Sequence, residues 1–214
     1  MSEPLDRRTF AATFAASVVL GREAVSAETP AVAPVPHPKP VEAAFERDYP
    51  APPGFSPRWQ KPQINRLLVQ DFVIYAHMDT QMVSKLLDKE PALVNSFMDW
   101  GAGDWESGLG AAAHMGNRDM AILLLDRGAR MDIFAATMLG QLDAVRAFLT
   151  LQPKLIDAKG PHGFSLHFHA QLAGKDADLM VAYLQSVKKV DLRPNPFVEM
   201  RKGGEKKDPP KKSE

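Results

Sequence analysis

The fold of this 214-residue chain is decided by four short segments: QMVSKLL (81–87), DMAILLL (119–125), DAVRAFL (143–149) and DLMVAYL (178–184). In each segment apolar residues recur at positions i, i+1, i+4 and i+5, the spacing of one buried face of a short helix. The sequence after two of the segments also recurs, because PALVN (91–95) and PKLID (153–157) follow their closing leucines at the same offset. The pattern therefore predicts repeated helices that bury equivalent faces.

A second type of helix, rich in small residues, precedes the segments. The clearest examples are SGLGAAAHMG (107–116) and DIFAATMLG (132–140). Gly116 and Gly140 stand at the same distance before their closing leucines, where a left-handed glycine ends one helix and lets the next turn back. Small residues also allow two helix axes to approach closely. We therefore predict an all-α fold, a solenoid of antiparallel helix pairs.

These residues resemble the ankyrin-repeat family. The stretch 107–116, followed by AILLLDRGA (121–129) and Asp132, is similar to the family pattern T-P-L-H-x-A-A-x-x-G and its leucine-rich second helix. Leu166 and His167 give a second, partial match. The closing leucines are spaced unevenly and no Thr-Pro pair is present, so the repeats are degenerate; other helical-pair solenoids of the TPR type are the alternative. The resemblance implies a protein-interaction module without catalysis, in which His167 stabilises a turn.

The first 27 residues are predicted to be an export signal. Arg7, Arg8 and Phe10 are similar to the core of a bacterial twin-arginine signal, and the apolar stretch that follows is shorter than the roughly 20 residues that span a bilayer. Small residues ending at Ala27 suit cleavage there. The mature protein would then begin at residue 28 and be periplasmic or secreted. An amphipathic or disordered N-terminus is the alternative.

Proline marks the next boundary. Ten of the 18 prolines lie between Pro30 and Pro62, so residues 28–60 are predicted to be an extended linker without helix or strand ladders. Residues 61–192 would form the ankyrin-like domain. Residues 193–214 are poor in apolar side chains and are predicted to be a basic, disordered tail.

Composition excludes several classes of protein. Lys+Arg and Asp+Glu both number 26, which argues against nucleic-acid binding, and the absence of cysteine excludes disulfide scaffolds, thiol nucleophiles and Cys-ligated zinc. We expect no stable membrane span after the signal is removed. The expected partner is another protein, within an envelope complex as one option.

Histidines are the main candidates for chemistry. His162, His167 and His169 lie close together in sequence, but residues i and i+2 of a helix point about 200° apart and do not easily share one ion. His77 and His114 read as packed or capping residues. We therefore expect no catalytic residue, no metal ligand and no cofactor. A small metal-dependent enzyme built on His162, His167 and His169 is the alternative, and a structural envelope subunit is another.

The string DWGAGDWE (99–106) is the most unusual stretch of the chain. Its glycines predict a tight hairpin between repeats. Tryptophans on such a loop are common interface anchors, so Trp100, Trp105 and the loop residue Phe164 are the predicted partner-binding residues. Packing of both indoles onto the first helix pair is the alternative.

Overall fold

The computed structural model describes residues 43, 44, 46, 48–50 and 61–198, and this part of the chain is mostly helical. Its α-helices are α1 (Arg66–Tyr75), α2 (Thr80–Lys89), α3 (Gly108–Met115), α4 (Arg118–Asp126), α5 (Ile133–Met138), α6 (Leu142–Leu151), α7 (Leu166–Ala170) and α8 (Ala177–Val187). Short 3₁₀ segments cover Pro91–Asn95, Pro153–Asp157, Pro161–Gly163 and Gly174–Asp176. Strands β1 (Phe97–Asp99) and β2 (Trp105–Ser107) pair antiparallel. The predicted helical class is confirmed, and the hairpin predicted at 99–106 is this small sheet.

Local sequence explains where the helices begin. At five of them the residue before the first turn accepts a hydrogen bond from the backbone N–H three residues later, which satisfies an otherwise unpaired donor. The pairs are Asp79 with Met82 N, Ser107 with Gly110 N, Asn117 with Met120 N, Asp132 with Ala135 N and Ser165 with Phe168 N.

The two glycine turns have the same geometry. Gly116 ends α3 with φ 63° and Gly140 follows α5 with φ 73°. In both turns the next residue donates its N–H to the carbonyl five residues earlier, at 2.8 and 2.9 Å. The prediction of left-handed glycines at these positions is therefore confirmed, and each glycine reverses the chain into the second helix of a pair.

Consecutive helices pack in pairs, and the first helices of successive pairs touch one another. Helix α3 contacts α1 and α5, α5 also contacts α7, and each of these helices packs against the helix that follows it. The apolar interior falls into two clusters, one formed mainly by residues from α1 to α5 and one by residues from α5 to α8.

The repeated segments bury their equivalent faces with one difference of register. The second apolar position is buried in all four segments, and so is the closing leucine in three of them (Val83, Ala121, Val145 and Met180; Leu87, Leu149 and Leu184). In α4 the fully buried side chain is Leu124, whereas Leu125 is only partly buried. In α4 the residue equivalent to the buried closing leucines is therefore Leu124 and not Leu125. The helix is rotated so that Met120 and Leu124 face the core.

The ends of the chain fall partly outside the described residues. The predicted signal (1–27), with Arg7, Arg8, Phe10 and Ala27, lies there, as do most of the linker and residues 199–214. The packed part continues past the predicted boundary at 192, because Asn195 donates to Phe168 O and Phe197 is buried in the first cluster. Within the described residues, no helix combines the length and apolar character that crossing a membrane requires.

Candidate metal centre

Four side chains from separate elements converge in the interior: His77, Glu106, His114 and His162, here called the His–Glu cluster. One ligand atom from each lies within 4.8 Å of the others. The first three residues are buried and the fourth is partly buried. The cluster therefore joins positions that are distant in sequence at one point in the fold.

The backbone explains how each residue reaches this point. His77 follows α1 and His114 lies in the last turn of α3, and these two helices contact each other. Glu106 is the middle residue of β2, where alternation of side chains turns it inward and its neighbour Trp105 outward. His162 lies in the 3₁₀ turn Pro161–Gly163.

Oxygen acceptors hold the Nδ1 atom of each histidine in the cluster. His77 Nδ1 lies 2.9 Å from Val73 O, and His162 Nδ1 lies 3.0 Å from Asp104 Oδ2. For His114, Nδ1 lies 3.2 Å from Gly110 O and 3.1 Å from Glu106 Oε1. Carbonyl and carboxylate oxygens only accept, so each Nδ1 carries a proton. In the neutral rings the lone pair is then on Nε2, the atom that metal-ligating histidines often use when Nδ1–H is bonded to oxygen.

Glu106 is at the centre of the cluster. Its Oε1 lies 3.6 Å from His77 Nε2 and 3.5 Å from His162 Nε2. Among the described residues, no group donates to this buried oxygen with hydrogen-bonding geometry. The other oxygen, Oε2, accepts from the Trp100 indole at 2.6 Å. Since Glu106 is fully buried, Oε1 is an acceptor that faces three imidazoles within 3.6 Å without a well-aligned hydrogen bond to any of them.

The electrostatics of the cluster favour an ionised carboxylate. Burial opposes ionisation of Glu106, but the neighbouring imidazoles of His114, His162 and His77 outweigh it and hold its pKa well below the usual value. Burial acts on His162 as well, but the carboxylates of Glu106 and Asp104 outweigh it and raise its pKa. For His77 burial dominates and lowers the pKa to about 4, so this ring is neutral at pH 7.

The structure separates the three histidines that lie close together in sequence. Only His162 belongs to the cluster. His167 Nε2 lies 3.0 Å from Lys188 O, and His169 Nδ1 lies 2.8 Å from Ser165 O. Proximity in sequence therefore pointed to the wrong set of neighbours, because α7 begins between His162 and the other two.

The three residues predicted to bind a partner lie in different environments. Trp105 is 58% exposed, on the outer face of the hairpin. Trp100 is partly buried and donates to Glu106. The ring of Phe164 stacks on that of Phe168 with centroids 4.0 Å apart, and packs against the core. Of the three, Trp105 is exposed, whereas Trp100 and Phe164 are partly buried.

A groove of about 400 Å³ lies beside the cluster. Its walls include Trp105 and Phe97 from the hairpin, Phe134 from α5, and Gly160 and Pro161 from the loop that carries His162. Strand β2 thus contributes Glu106 to the cluster and Trp105 to the groove.

Sequence reasoning missed the cluster, although one signal was present. His77 and His114 stand at the C-terminal ends of the first helices of two successive pairs. Side chains at equivalent ends of stacked helices come close together, so these two histidines could have been paired before the fold was known. Nothing local indicates that His162 joins them.

Comparison with known proteins adds no further assignment, since no protein-family model, no curated protein and no solved structure matches the chain. The similarities to ankyrin repeats and to twin-arginine signals therefore depend on the residues quoted above and stay predictions.

Proposed function

We propose that this protein binds one divalent transition-metal ion at the His–Glu cluster. The observation that carries the proposal is Glu106 Oε1, a fully buried acceptor that faces three imidazoles and has no well-aligned hydrogen bond among the described residues. Leaving such an oxygen unpaired costs free energy, and a bound cation removes that cost. The proposal departs from the sequence-based expectation of no metal ligand.

The ligand set indicates the class of metal. Three imidazoles and one carboxylate, without thiolate, suit Zn²⁺ and neighbouring ions such as Co²⁺ or Ni²⁺. With metal–ligand bonds of about 2.1 Å, neighbouring ligands of a tetrahedral ion stand about 3.4 Å apart. His77 Nε2 and His162 Nε2 lie 3.6 and 3.5 Å from Glu106 Oε1, close to this value.

The hydrogen bonds around the cluster also favour a metal. Val73 O and Asp104 orient two of the rings, and Trp100 holds the second oxygen of Glu106. Such outer contacts fix ligand orientation and tautomer in metal sites. The largest ligand separation, 4.8 Å, exceeds the tetrahedral value, so binding would draw the four residues together and stabilise the fold.

A matched pair of variants tests the proposal. His114 and His169 are both buried and both have Nδ1 beside the carbonyl four residues earlier, but only His114 belongs to the cluster. Metal-depleted wild type should take up about one equivalent of Zn²⁺ or Co²⁺, measured by elemental analysis after gel filtration. His114→Gln should lose this uptake and His169→Gln should keep it.

Thermal melting gives a second readout. At a free Zn²⁺ concentration 1,000 times Kd, the wild type should gain about 4 kcal/mol of stability, and His114→Gln should gain almost none. Absence of stoichiometric uptake by the wild type, or equal uptake by the wild type and His114→Gln, would refute the proposal.

A second candidate function is an exported, ankyrin-like protein-interaction module without catalysis of its own. Contacts between successive first helices and the matching turns at Gly116 and Gly140 support a helical-pair solenoid as its scaffold. The exposed rings of Trp105 and Phe97 on the hairpin support a contact surface. Capture of proteins from envelope fractions by the wild type, but not by Trp105→Ala, would support this function.

Export is part of the second candidate. In the native host, the mature protein would begin at Glu28 and be found in the periplasm or outside the cell. Intact-mass measurement checks this, and a mass that begins at Met1 would contradict it. Two alternatives are a small exported metal-dependent enzyme and a structural subunit of an envelope complex. Protein purified for the mass measurement can be used to test both.

A further inference from the structure

We propose that Asp104 is a positioning residue of the metal centre, which sets the orientation and the tautomer of His162. The inference rests on the proposed metal-binding function and assigns Asp104 a role outside the four ligands. Its carboxylate contacts His162 at two points: Oδ1 accepts the backbone N–H at 2.8 Å, and Oδ2 lies 3.0 Å from ring Nδ1.

Both side chains are shielded from water, which makes the contact strong. The side chain of His162 is 6% exposed and that of Asp104 is 14% exposed. A charge-assisted hydrogen bond in such surroundings is shorter and stronger than one between neutral groups. Because Asp104 only accepts, it keeps the proton on Nδ1 and leaves Nε2 to face Glu106.

The backbone at His162 requires support of this kind. This residue has φ 57° and ψ 18°, a strained left-handed conformation that non-glycine residues seldom adopt. Its amide is one of the two groups that Asp104 accepts from. The same carboxylate therefore stabilises the turn and aims the ring.

The hairpin places this carboxylate accurately. Left-handed backbone at Gly101, Ala102 and Gly103 closes the turn, and Asp104 is anchored by hydrogen bonds between its backbone and those of Gly101 and Trp100. Residues i and i+2 of an extended chain point to the same side. Asp104 and Glu106 therefore both face His162, one at Nδ1 and the other at Nε2.

Substitution by asparagine tests the role, because it removes the charge and keeps the size. Chelator competition should show that Asp104→Asn binds Zn²⁺ 10- to 100-fold more weakly than the wild type, the usual effect of losing an outer carboxylate. The absorption bands of bound Co²⁺ should also change, which a general loss of stability would not cause.

Asp99→Asn is the control from the same hairpin. Asp99 Oδ1 accepts from Gly101 N and Gly103 N within the turn, so this variant perturbs the hairpin without removing the contact to His162. It should keep the wild-type Zn²⁺ affinity and Co²⁺ spectrum.

A measurement on the wild type needs no variant and remains informative if Asp104→Asn fails to fold. In the Zn²⁺-loaded protein, ¹⁵N chemical shifts of His162 should show Nδ1 protonated and Nε2 bound to metal. Coordination through Nδ1 would overturn the inference.

The outcomes distinguish failure of the positioning role from failure of the proposed metal-binding function. If the wild type takes up Zn²⁺ and Asp104→Asn binds it equally well with an unchanged Co²⁺ spectrum, the positioning role is refuted and the metal site stands. If the wild type takes up neither Zn²⁺ nor Co²⁺, the metal site is refuted and the role of Asp104 falls with it.

Discussion

Acid should destabilise this protein through His169, a fully buried residue outside the His–Glu cluster. Its Nδ1 lies 2.8 Å from Ser165 O, whereas its Nε2 has no hydrogen-bond partner among the described residues. Burial lowers its pKa from 6.5 to about 4, although the Ser165 carbonyl favours the charged form. Between these two values the unfolded chain binds a proton that the folded protein does not. The free energy of unfolding therefore falls as the pH falls through this window, and it levels off below about pH 4.

The size of the effect follows from the shift. One pKa unit corresponds to about 1.4 kcal/mol, so a pKa lowered from 6.5 to about 4 is worth about 3 kcal/mol. Between pH 7 and pH 5 the loss is about 2 kcal/mol, because the unfolded histidine is then almost fully protonated and the folded one is still mostly neutral. His169→Leu removes the titrating group and an unpaired buried nitrogen, so its stability at pH 7 should stay close to that of the wild type.

The free energy of unfolding, measured with urea at pH 7 and pH 5 in the presence of EDTA, tests this prediction. EDTA keeps the His–Glu cluster metal-free in every sample. The wild type should lose about 2 kcal/mol more than His169→Leu on going from pH 7 to pH 5. Gln171→Leu, a change two residues along the chain without a titrating group, should keep the wild-type pH dependence. Equal losses in the wild type and His169→Leu would show that burial does not depress the pKa of this histidine.

Three further predictions test the packing and the surface. Leu124→Ala should lower the free energy of unfolding, measured by chemical denaturation, by about 2–5 kcal/mol because it leaves a cavity at a fully buried site. Ile122 is 44% exposed, so Ile122→Ala should lower it by less than about 1 kcal/mol. Similar losses in the two variants would contradict the assigned face of α4. Gly140→Ala should lower Tm, since its φ is 73° and a Cβ there would stand 2.7 Å from the Cβ of Asp176; an unchanged Tm would mean that this turn readjusts freely. Trp105→Ala should leave both Tm and Zn²⁺ uptake unchanged and abolish partner capture, and a large fall in Tm would make the ring structural.

Features that depend on a few neighbouring residues in the chain could be predicted from the sequence. The spacing of apolar residues predicted the buried positions of α2, α6 and α8, and Gly116 and Gly140 predicted where two other helices end. The string from Asp99 to Glu106 predicted a hairpin because its glycines allow left-handed backbone. The two Pro-initiated segments, 91–95 and 153–157, both form 3₁₀ helices after residues with almost identical backbone angles, φ −137°, ψ 83° and φ −138°, ψ 80°.

Features that depend on how elements face one another could not be predicted in this way. Leu125 was expected to close a buried face, but the rotation of α4 gives that place to Leu124. The disordered tail was expected to begin at residue 193. Phe197 is instead buried in the core, where its ring contacts that of Phe168 in α7.

The candidate site shows the same division. The sequence by itself determined the helices that carry His77 and His114, the hairpin that carries Glu106 and the loop that carries His162, because caps, glycines and apolar periodicity act between near neighbours in the chain. Only the tertiary structure decided that these four side chains meet and that His167 and His169 stay apart from them. Their meeting depends on the contact between α1 and α3, on the face that β2 turns inward and on the contact of Asp104 with His162, and each of these joins or orients parts of the chain that local sequence rules do not connect.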